Sequence, residues 1–284
     1  MNKVIHISIA LCTCNGEKYI EQQLNSILEQ TIKPDEIVVC DDGSTDKTID
    51  ILSSLSKKNP GLFKIVVNNE NVGTIRNFEK AISATTGDYI FLSDQDDIWY
   101  SDKIEKMMFV FIKHPKVLLI FSNGDLIDEN GADLGSTLWA KWNFGNEVRE
   151  RWKNNKLAFK DLLAGDNKVT GATVAFKNGL KNKSLPINVP IGYWHDAWLS
   201  LHAAANNGLY YIEESLIQYR IHSNQQIGLP ESNRPSNDKV NFCKVVTYEE
   251  FYSQIRRNYP KKFKKNKLKS FCVRIYKWLR FFFN

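Results

Sequence analysis

The stretch Tyr89-Ile90-Phe91-Leu92-Ser93-Asp94-Gln95-Asp96-Asp97-Ile98-Trp99 decides how the chain is read. Its first residues are apolar and aromatic, the pattern of a buried strand, and a polar run with three carboxylic acids follows at the carboxyl end. Carboxylates this close repel one another unless a cation sits between them, so Asp94, Asp96 and Asp97 point to a divalent metal. Taken alone, the same residues also make a solvated turn that caps a helix. The segments on either side separate the two readings.

Upstream, strand and helix patterns alternate. Val4–Leu11, Glu36–Cys40 and Phe63–Val67 read as strands, and Lys18–Gln30, the segment through Ile49, Leu52 and Leu55, and Thr74–Ala84 read as helices. Ile20, Leu24, Ile27 and Leu28 keep a helical period, and Ser44 or Thr45 is placed to cap the second helix. This alternation predicts an α/β fold: right-handed crossovers building a mostly parallel central sheet flanked by helices. Such sheets bind ligands beyond the carboxyl ends of their strands. Two more polar clusters fall at such ends, Thr13-Cys14-Asn15-Gly16-Glu17 and Asp41-Asp42-Gly43-Ser44. The second can accept hydrogen bonds from a ribose or base, or simply make a turn. The chain has no Gly-x-Gly-x-x-Gly and no Gly-Lys-Ser/Thr, which counts against a nucleotide-binding oxidoreductase and excludes a P-loop. Phosphates would be held by a metal and backbone donors instead.

Downstream, a helix (Ile104–Lys113), a strand (Val117–Phe121) and a Trp-rich segment lead to strands at Thr170–Phe176 and Tyr210–Ile212. Between these two, His195-Asp196 opens a helix. Asp196 there can take a proton from a hydroxyl, or serve as an N-cap beside a packed histidine. His222, in Tyr219-Arg220-Ile221-His222, is a metal ligand or a packed imidazole.

Length and composition narrow the class. The 284 residues, 43% hydrophobic, suffice for a sizeable core without disulfides. Five cysteines (12, 14, 40, 243 and 272) form no framework, and five scattered histidines offer no zinc spacing, so free thiols in a reducing compartment are expected. No apolar run reaches the roughly 18 residues of a spanning helix. The net charge of +6 is uneven. Between Arg256 and Asn284 stand eleven of the 38 basic residues and no acidic one, which leaves the body mildly acidic.

Together these motifs resemble family 2 glycosyltransferases, inverting enzymes of GT-A (Rossmann-like) fold that use nucleotide-sugars. The matching stretches are Thr13–Gln22, Ser26–Gln30, Pro34–Thr48, Asn71–Ala84, Gly87–Lys103, Thr170–Phe176, His195–Leu199 and Tyr219–Gly228. The Ser-Asp-Gln-Asp-Asp-Ile-Trp run, with His-Asp-x-Trp and Tyr-Arg-x-His downstream, is most similar to the bacterial α-1,3-rhamnosyltransferase-like branch. The resemblance implies that Thr13, Asn15, Glu17, Asp41 and Asp42 line a nucleoside pocket, with Arg76 and Asn77 beside it. Asp94, Gln95 and Asp96 match the D-x-D position. Asp94 would touch ribose or sugar, while Asp96 and His222 would hold Mn²⁺ or Mg²⁺ on the diphosphate. Asp196 would be the general base, Thr170 and Gly171 would shape the sugar pocket, and Trp194 and His195 would meet the acceptor. Cys14 stands where the family commonly has Tyr, and Ser122-Asn123 where it often has Asp.

The expected organisation is a GT-A domain over 1–229, with a nucleotide-binding half (1–103) and an acceptor and catalytic-base half (104–229). A linker and helix follow over 230–255, then a basic tail over 256–284. In the tail Leu268, Phe271, Cys272, Ile275, Trp278, Leu279 and Phe282 form one apolar helical stripe among lysines and arginines. That pattern reads as an amphipathic helical extension lying on an anionic membrane surface, or docked on the acidic body. A nucleic-acid partner is not expected, because the aromatics lie on a continuous apolar face. The implied enzyme is a peripheral protein on the inner, cytoplasmic face of the cell membrane. It would transfer one sugar, L-rhamnose from dTDP-rhamnose, to a polyprenyl-diphosphate-linked saccharide of a surface polysaccharide. A UDP-hexose or galactofuranose donor is the alternative within the class. A non-catalytic glycan- or membrane-binding protein is the alternative outside it.

Overall fold

A computed structural model describes residues 4–223 and 246–263. The first four strands are Ile7–Thr13 (β1), Glu36–Asp41 (β2), Phe63–Val67 (β3) and Tyr89–Ser93 (β4), and they alternate with helices Ile20–Leu28 (α1), Thr48–Lys58 (α2) and Thr74–Ala84 (α3). Every residue of β1 is buried, which is why its pattern is a continuous apolar run rather than an alternation. It is the centre of this half: β2 and β4 pair with it on either side, both parallel, and β3 lies parallel outside β2. α1 buries Ile20, Leu24 and Ile27, and α3 buries Asn77, Phe78, Ala81 and Ile82.

Beyond β4 the sheet continues through the second half of the chain. Val174–Lys177 (β8) runs antiparallel to β4, Leu119–Ile127 (β6) antiparallel to β8, and Leu209–Arg220 (β9) parallel to β6. Two short strands finish it, Ile98–Trp99 (β5) against β9 and Asp133–Thr137 (β7) against β6. The order is β3-β2-β1-β4-β8-β6-β9-β5. β1 to β4, β6 and β9 share one direction, so the sheet is parallel in the main, with β5, β7 and β8 reversed.

The second half departs from the sequence reading in detail. The strand expected over Thr170–Phe176 begins at Val174, after a single 3₁₀ turn at Gly171–Thr173. The strand expected at Tyr210–Ile212 runs on through Tyr219-Arg220, carrying the segment before His222 on the sheet itself. The Trp-rich segment forms three helices, Leu138–Lys141 (α5), Asn146–Trp152 (α6) and Asn155–Leu163 (α7). The first two are too short for a helical period to be seen, and Asn143, in the left-handed region, turns the chain between them. Trp152 packs edge-on against Phe121, and Trp139 and Phe144, the latter between α5 and α6, pack edge-on against Tyr211.

The remaining helices are Lys103–Lys113 (α4), Asn178–Ser184 (α8), His195–Ala205 (α9) and Tyr248–Asn258 (α10). α9 is buried along its whole length, a core helix rather than a surface one. α10, within and just past the expected 230–255 segment, opens with a capping box at Thr247 and Glu250. Tyr259, just beyond it, bonds His202 on α9 through its hydroxyl at 2.7 Å. The amphipathic tail stripe from Leu268 onward lies outside the described residues. Among the described residues no helix is long and apolar enough to cross a membrane.

Candidate active site

The carboxyl ends of β1 and β4 open onto a cavity of about 480 Å³. Its walls include Thr13 at the end of β1 with Cys14 and Asn15 just beyond, Asp42 after β2, Thr74, Asn77 and Phe78 on α3, Asp94-Gln95-Asp96 after β4, and Tyr219 and His222 at the end of β9. Strand ends that are far apart in sequence meet here because parallel strands all deliver their carboxyl ends to one rim.

The acidic loop is tied down from both sides. The Gln95 side chain reaches back to β1: its Oε1 accepts from Cys14 N at 2.8 Å and its Nε2 donates to Cys14 O at 3.2 Å. It lies so close over Gly16 that a β-carbon there would collide with it. On the other side Arg220, buried on β9, donates through Nε to Asp96 O at 2.8 Å, and its backbone N–H donates to Asp97 Oδ1 at 3.0 Å. The same guanidinium bonds Gln22 on α1 and the carbonyls of Asp128 and Glu129.

Asp96 and His222 meet, with Oδ2 and Nε2 2.9 Å apart. An imidazole nitrogen and a carboxylate oxygen side by side make a hard-to-borderline donor pair that fits Mn²⁺ or Mg²⁺. Among the described residues no group of three His, Cys, Asp or Glu side chains is placed to hold a metal. A cation at this pair would therefore draw its other ligands from a diphosphate and water, the ordinary habit of Mg²⁺ beside phosphates.

Electrostatics mark the loop. Burial, then the charges of Asp96 and Asp196, push the Asp94 carboxyl up to about 7. Burial and both neighbouring acids raise Asp97 well above the carboxylate range, and its Oδ2 has no hydrogen-bond partner among the described residues. Behind them lies Lys103, fully buried, with Nζ 3.6 Å from the Trp99 ring centre and 2.7 Å from Ala172 O. Burial lowers its ammonium, while the charges of Asp97 and Asp94 raise it. On balance burial wins and holds the amine well below the usual lysine range, the acid charges offsetting only part of the desolvation cost.

Asp196 sits on the first turn of α9, 8% exposed. Its Oδ1 accepts from Asn167 Nδ2 at 3.2 Å and from Ala197 N. Burial pushes it up to about 7 against those hydrogen bonds. It does not line the cavity, but its charge is felt at Asp94. His195 stacks on Phe78 at 4.0 Å, and burial holds its imidazole neutral, down to about 3. Neither ring nitrogen has a hydrogen-bond partner among the described residues. Gly171 allows this packing, because a β-carbon there would stand 2.7 Å from His195 Nε2.

Of the residues singled out from sequence, Thr13, Asn15, Asp42, Asn77, Asp94, Gln95, Asp96 and His222 line the cavity together. Others hold the frame. Both Asp41 oxygens are engaged by Ser44, at 2.8 Å from its backbone N, and Thr13 Oγ1 bonds the second at 3.1 Å. Asp42 is itself committed, accepting from Asn68, Val72 N and Gly73 N. Glu17 accepts from Lys47 N at the start of α2, and Arg76 pairs with Glu79 and bonds Ile187 O at 3.2 Å. Thr170, Gly171, Trp194 and His195 stand around Asp196, outside the cavity wall. Sequence reasoning missed Lys18, Tyr19, Phe78 and Glu129 in the wall, and Lys103 and Arg220 behind it. Lys18 and Tyr19 were within reach, since they follow the Thr13–Glu17 cluster directly.

The glycosyl transferase family 2 model matches residues 8–168. An uncharacterised glycosyltransferase of Haemophilus influenzae is 28% identical over 226 residues, 77% of this chain and 66% of that protein. A Shigella flexneri protein named dTDP-rhamnosyl transferase RfbG is 30% identical over 261 residues, 86% of this chain and 83% of that protein. The chain spans between 59% and 66% of the length of the first relatives it matches. In fold it is similar to S. aureus TarS 1-349 in complex with UDP-GlcNAc, with a TM-score of 0.57 and 17% identity over 89% of this chain and 65% of that one. It is likewise similar to the mannosyltransferase PcManGT from Pyrobaculum calidifontis in complex with GDP-Man and Mn²⁺, with a TM-score of 0.53 and 20% identity over 75% and 56% of the two chains. A family match over more than half the chain, on a sheet that brings the acidic loop and His222 to one cavity, identifies the protein: it belongs to glycosyl transferase family 2.

Proposed function

We propose that this protein is a metal-dependent, inverting glycosyltransferase that moves one sugar from a nucleotide-sugar to a saccharide hydroxyl. The observation that carries the reading is the meeting of Asp96 and His222 at the rim of a strand-end cavity, with the buried carboxyl of Asp196 beyond Asp94. Thr13, Asn15 and Asn77 contact the nucleoside, and Asp94 the ribose or sugar. Asp96 and His222 hold Mn²⁺ or Mg²⁺, which stabilises the negative charge growing on the leaving diphosphate. Asp196 takes the proton of the acceptor hydroxyl as that oxygen bonds C1. The C1–O bond to the diphosphate breaks on the opposite face, so the anomeric centre inverts in one displacement. Thr170 and Gly171 shape the sugar side of the site, and Trp194 and His195 the acceptor side.

For the donor we favour dTDP-L-rhamnose, supported by the 30% identity to the Shigella flexneri protein of that name. The acceptor is a polyprenyl-diphosphate-linked saccharide of a bacterial surface polysaccharide, and the basic tail meets the anionic inner face of the membrane. The test is nucleoside diphosphate release from a panel of dTDP-, UDP- and GDP-sugars, with a bacterial lipid extract as acceptor source, in Mn²⁺ and in EDTA. Metal-dependent release from dTDP-rhamnose alone is expected. Release from a UDP-hexose or UDP-galactofuranose instead would keep the mechanism and replace the donor. No metal-dependent release from any of them would overturn the reading in favour of a binding protein.

A further inference from the structure

The cavity is strongly acidic, and its cationic side chains are few. Among the described residues lining it are Asp42, Asp94, Asp96 and Glu129, against one lysine, Lys18, and no arginine. Lys18 Nζ is bonded to Glu129 Oε2 at 3.0 Å, a pair that joins the loop after β1 to the turn after β6. Both side chains are more than half exposed, 59% and 56%. The two ends differ in freedom. Glu129 rides on a turn pinned by Arg220, whose Nη1 bonds Glu129 O at 3.3 Å, and by Asp128 Oδ1, which accepts from Asn130 N and Ala132 N. Lys18 stands on a flexible stem steadied by its neighbour Tyr19, with Nζ 4.9 Å from that ring centre. The same ring also contacts the proposed metal-site residue: Tyr19 and His222 have ring centres 5.1 Å apart. The Lys18 ammonium and the His222 imidazole therefore lie against one tyrosine.

We propose that Lys18 is a diphosphate-binding residue held at the cavity mouth by Glu129, and that an entering nucleoside diphosphate takes the lysine over from that carboxylate. The proposal rests on the transferase reading above. An exposed ion pair contributes little to stability and is screened by salt, so parting it costs little. Charge-assisted bonds to phosphate oxygens are stronger, and an ammonium with three rotatable donors can follow them into the cavity. Asp42 offers no competing anchor, because its carboxylate is already engaged by Asn68, Val72 and Gly73. Glu129 is the competing anion: it keeps Lys18 at the mouth, weakens diphosphate binding by that competition, and gives the charge back when product leaves.

The test is calorimetric binding of UDP, GDP and dTDP in Mn²⁺, and of inorganic pyrophosphate in Mn²⁺, with no acceptor present. Lys18→Met is expected to weaken the best-bound nucleotide and pyrophosphate about tenfold. The same variant should leave Mn²⁺ binding without nucleotide, and the melting temperature, unchanged. Glu129→Gln is expected to tighten binding several-fold, and to have no effect once Lys18 is Met. Affinity unchanged in Lys18→Met, or weakened in Glu129→Gln, would overturn the proposal while the wild type still binds nucleotide. A wild type that binds none of the three nucleotides would overturn the transferase reading, and this one with it.

Discussion

Asp196 carries two consequences that pull in opposite directions. Its carboxyl is raised to about 7 by burial, so at lower pH it is protonated and cannot act as the proposed base. Transfer is expected to rise with pH to a plateau, with a midpoint near 7 in a pH–kcat profile, and to fall by about 10²–10⁴-fold in Asp196→Asn with nucleotide binding retained. Equal turnover in the variant would remove Asp196 as base. The same raised value acts on stability with a fixed sign. Folding favours the neutral carboxyl, so the contribution is fully present below the ordinary carboxylate pKa of about 4 and is lost as pH rises through 7. Asp196→Asn therefore should melt a few degrees higher than wild type at pH 8 and the same as wild type at pH 4. His195, next to it, was read from sequence both as a packed histidine beside an N-cap and, by the resemblance, as an acceptor contact. It is packed between Phe78 and Gly171, partners that only the tertiary structure supplies.

At the scale of elements, the turn Gly171–Thr173 joins the two sides of the site. Its Ala172 carbonyl receives Lys103 from behind the acidic loop, and its Gly171 lies against His195 at the start of α9. Gly171→Ala forces a methyl to within 2.7 Å of His195 Nε2, so α9 or the turn must shift. The expected cost is about 1–3 kcal/mol of stability, read by urea unfolding, and a kcat lowered about 10–100-fold, since a displaced base is poorly aligned. A variant with wild-type kcat would show that the turn does not position the base. The strand–helix alternation from β1 to β4 was legible because each element is long enough to show its period. The turn was not: three residues without a period read as the start of a strand, and only the pairing of β8 with both β4 and β6 ends that strand at Val174. Arg220 was hidden for a related reason. Its role depends on β9 running twelve residues, across the bulged register with β6, so that its guanidinium arrives beneath Asp96.

For the whole molecule, charge is divided between a mildly acidic body and a basic, aromatic tail. A cationic amphipathic segment gains both apolar burial and attraction to anionic lipid at an interface. Deleting 264–284, which keeps Phe263 and its edge-on contact with Phe159, is expected to abolish sedimentation with anionic vesicles and to leave the melting temperature within about 2 °C. A truncated protein that still sediments would assign membrane binding to the body. By itself the sequence determined the alternating first half, the acidic loop at a strand end, and the candidacy of Asp196 and His222. Those are properties of local period, local charge and local chemistry, which a chain carries wherever it folds. Only the tertiary structure decided which candidates share a cavity: His222 joins Asp96 across 126 residues, while Glu17, Asp41 and Arg76 are spent on caps, turns and a neighbouring loop. It also brought in Lys18, Lys103 and Arg220, whose surroundings come from strands distant in sequence. A side chain's partners depend on which strands lie side by side, and that order is set by burial of the sheet as a whole rather than by any one segment.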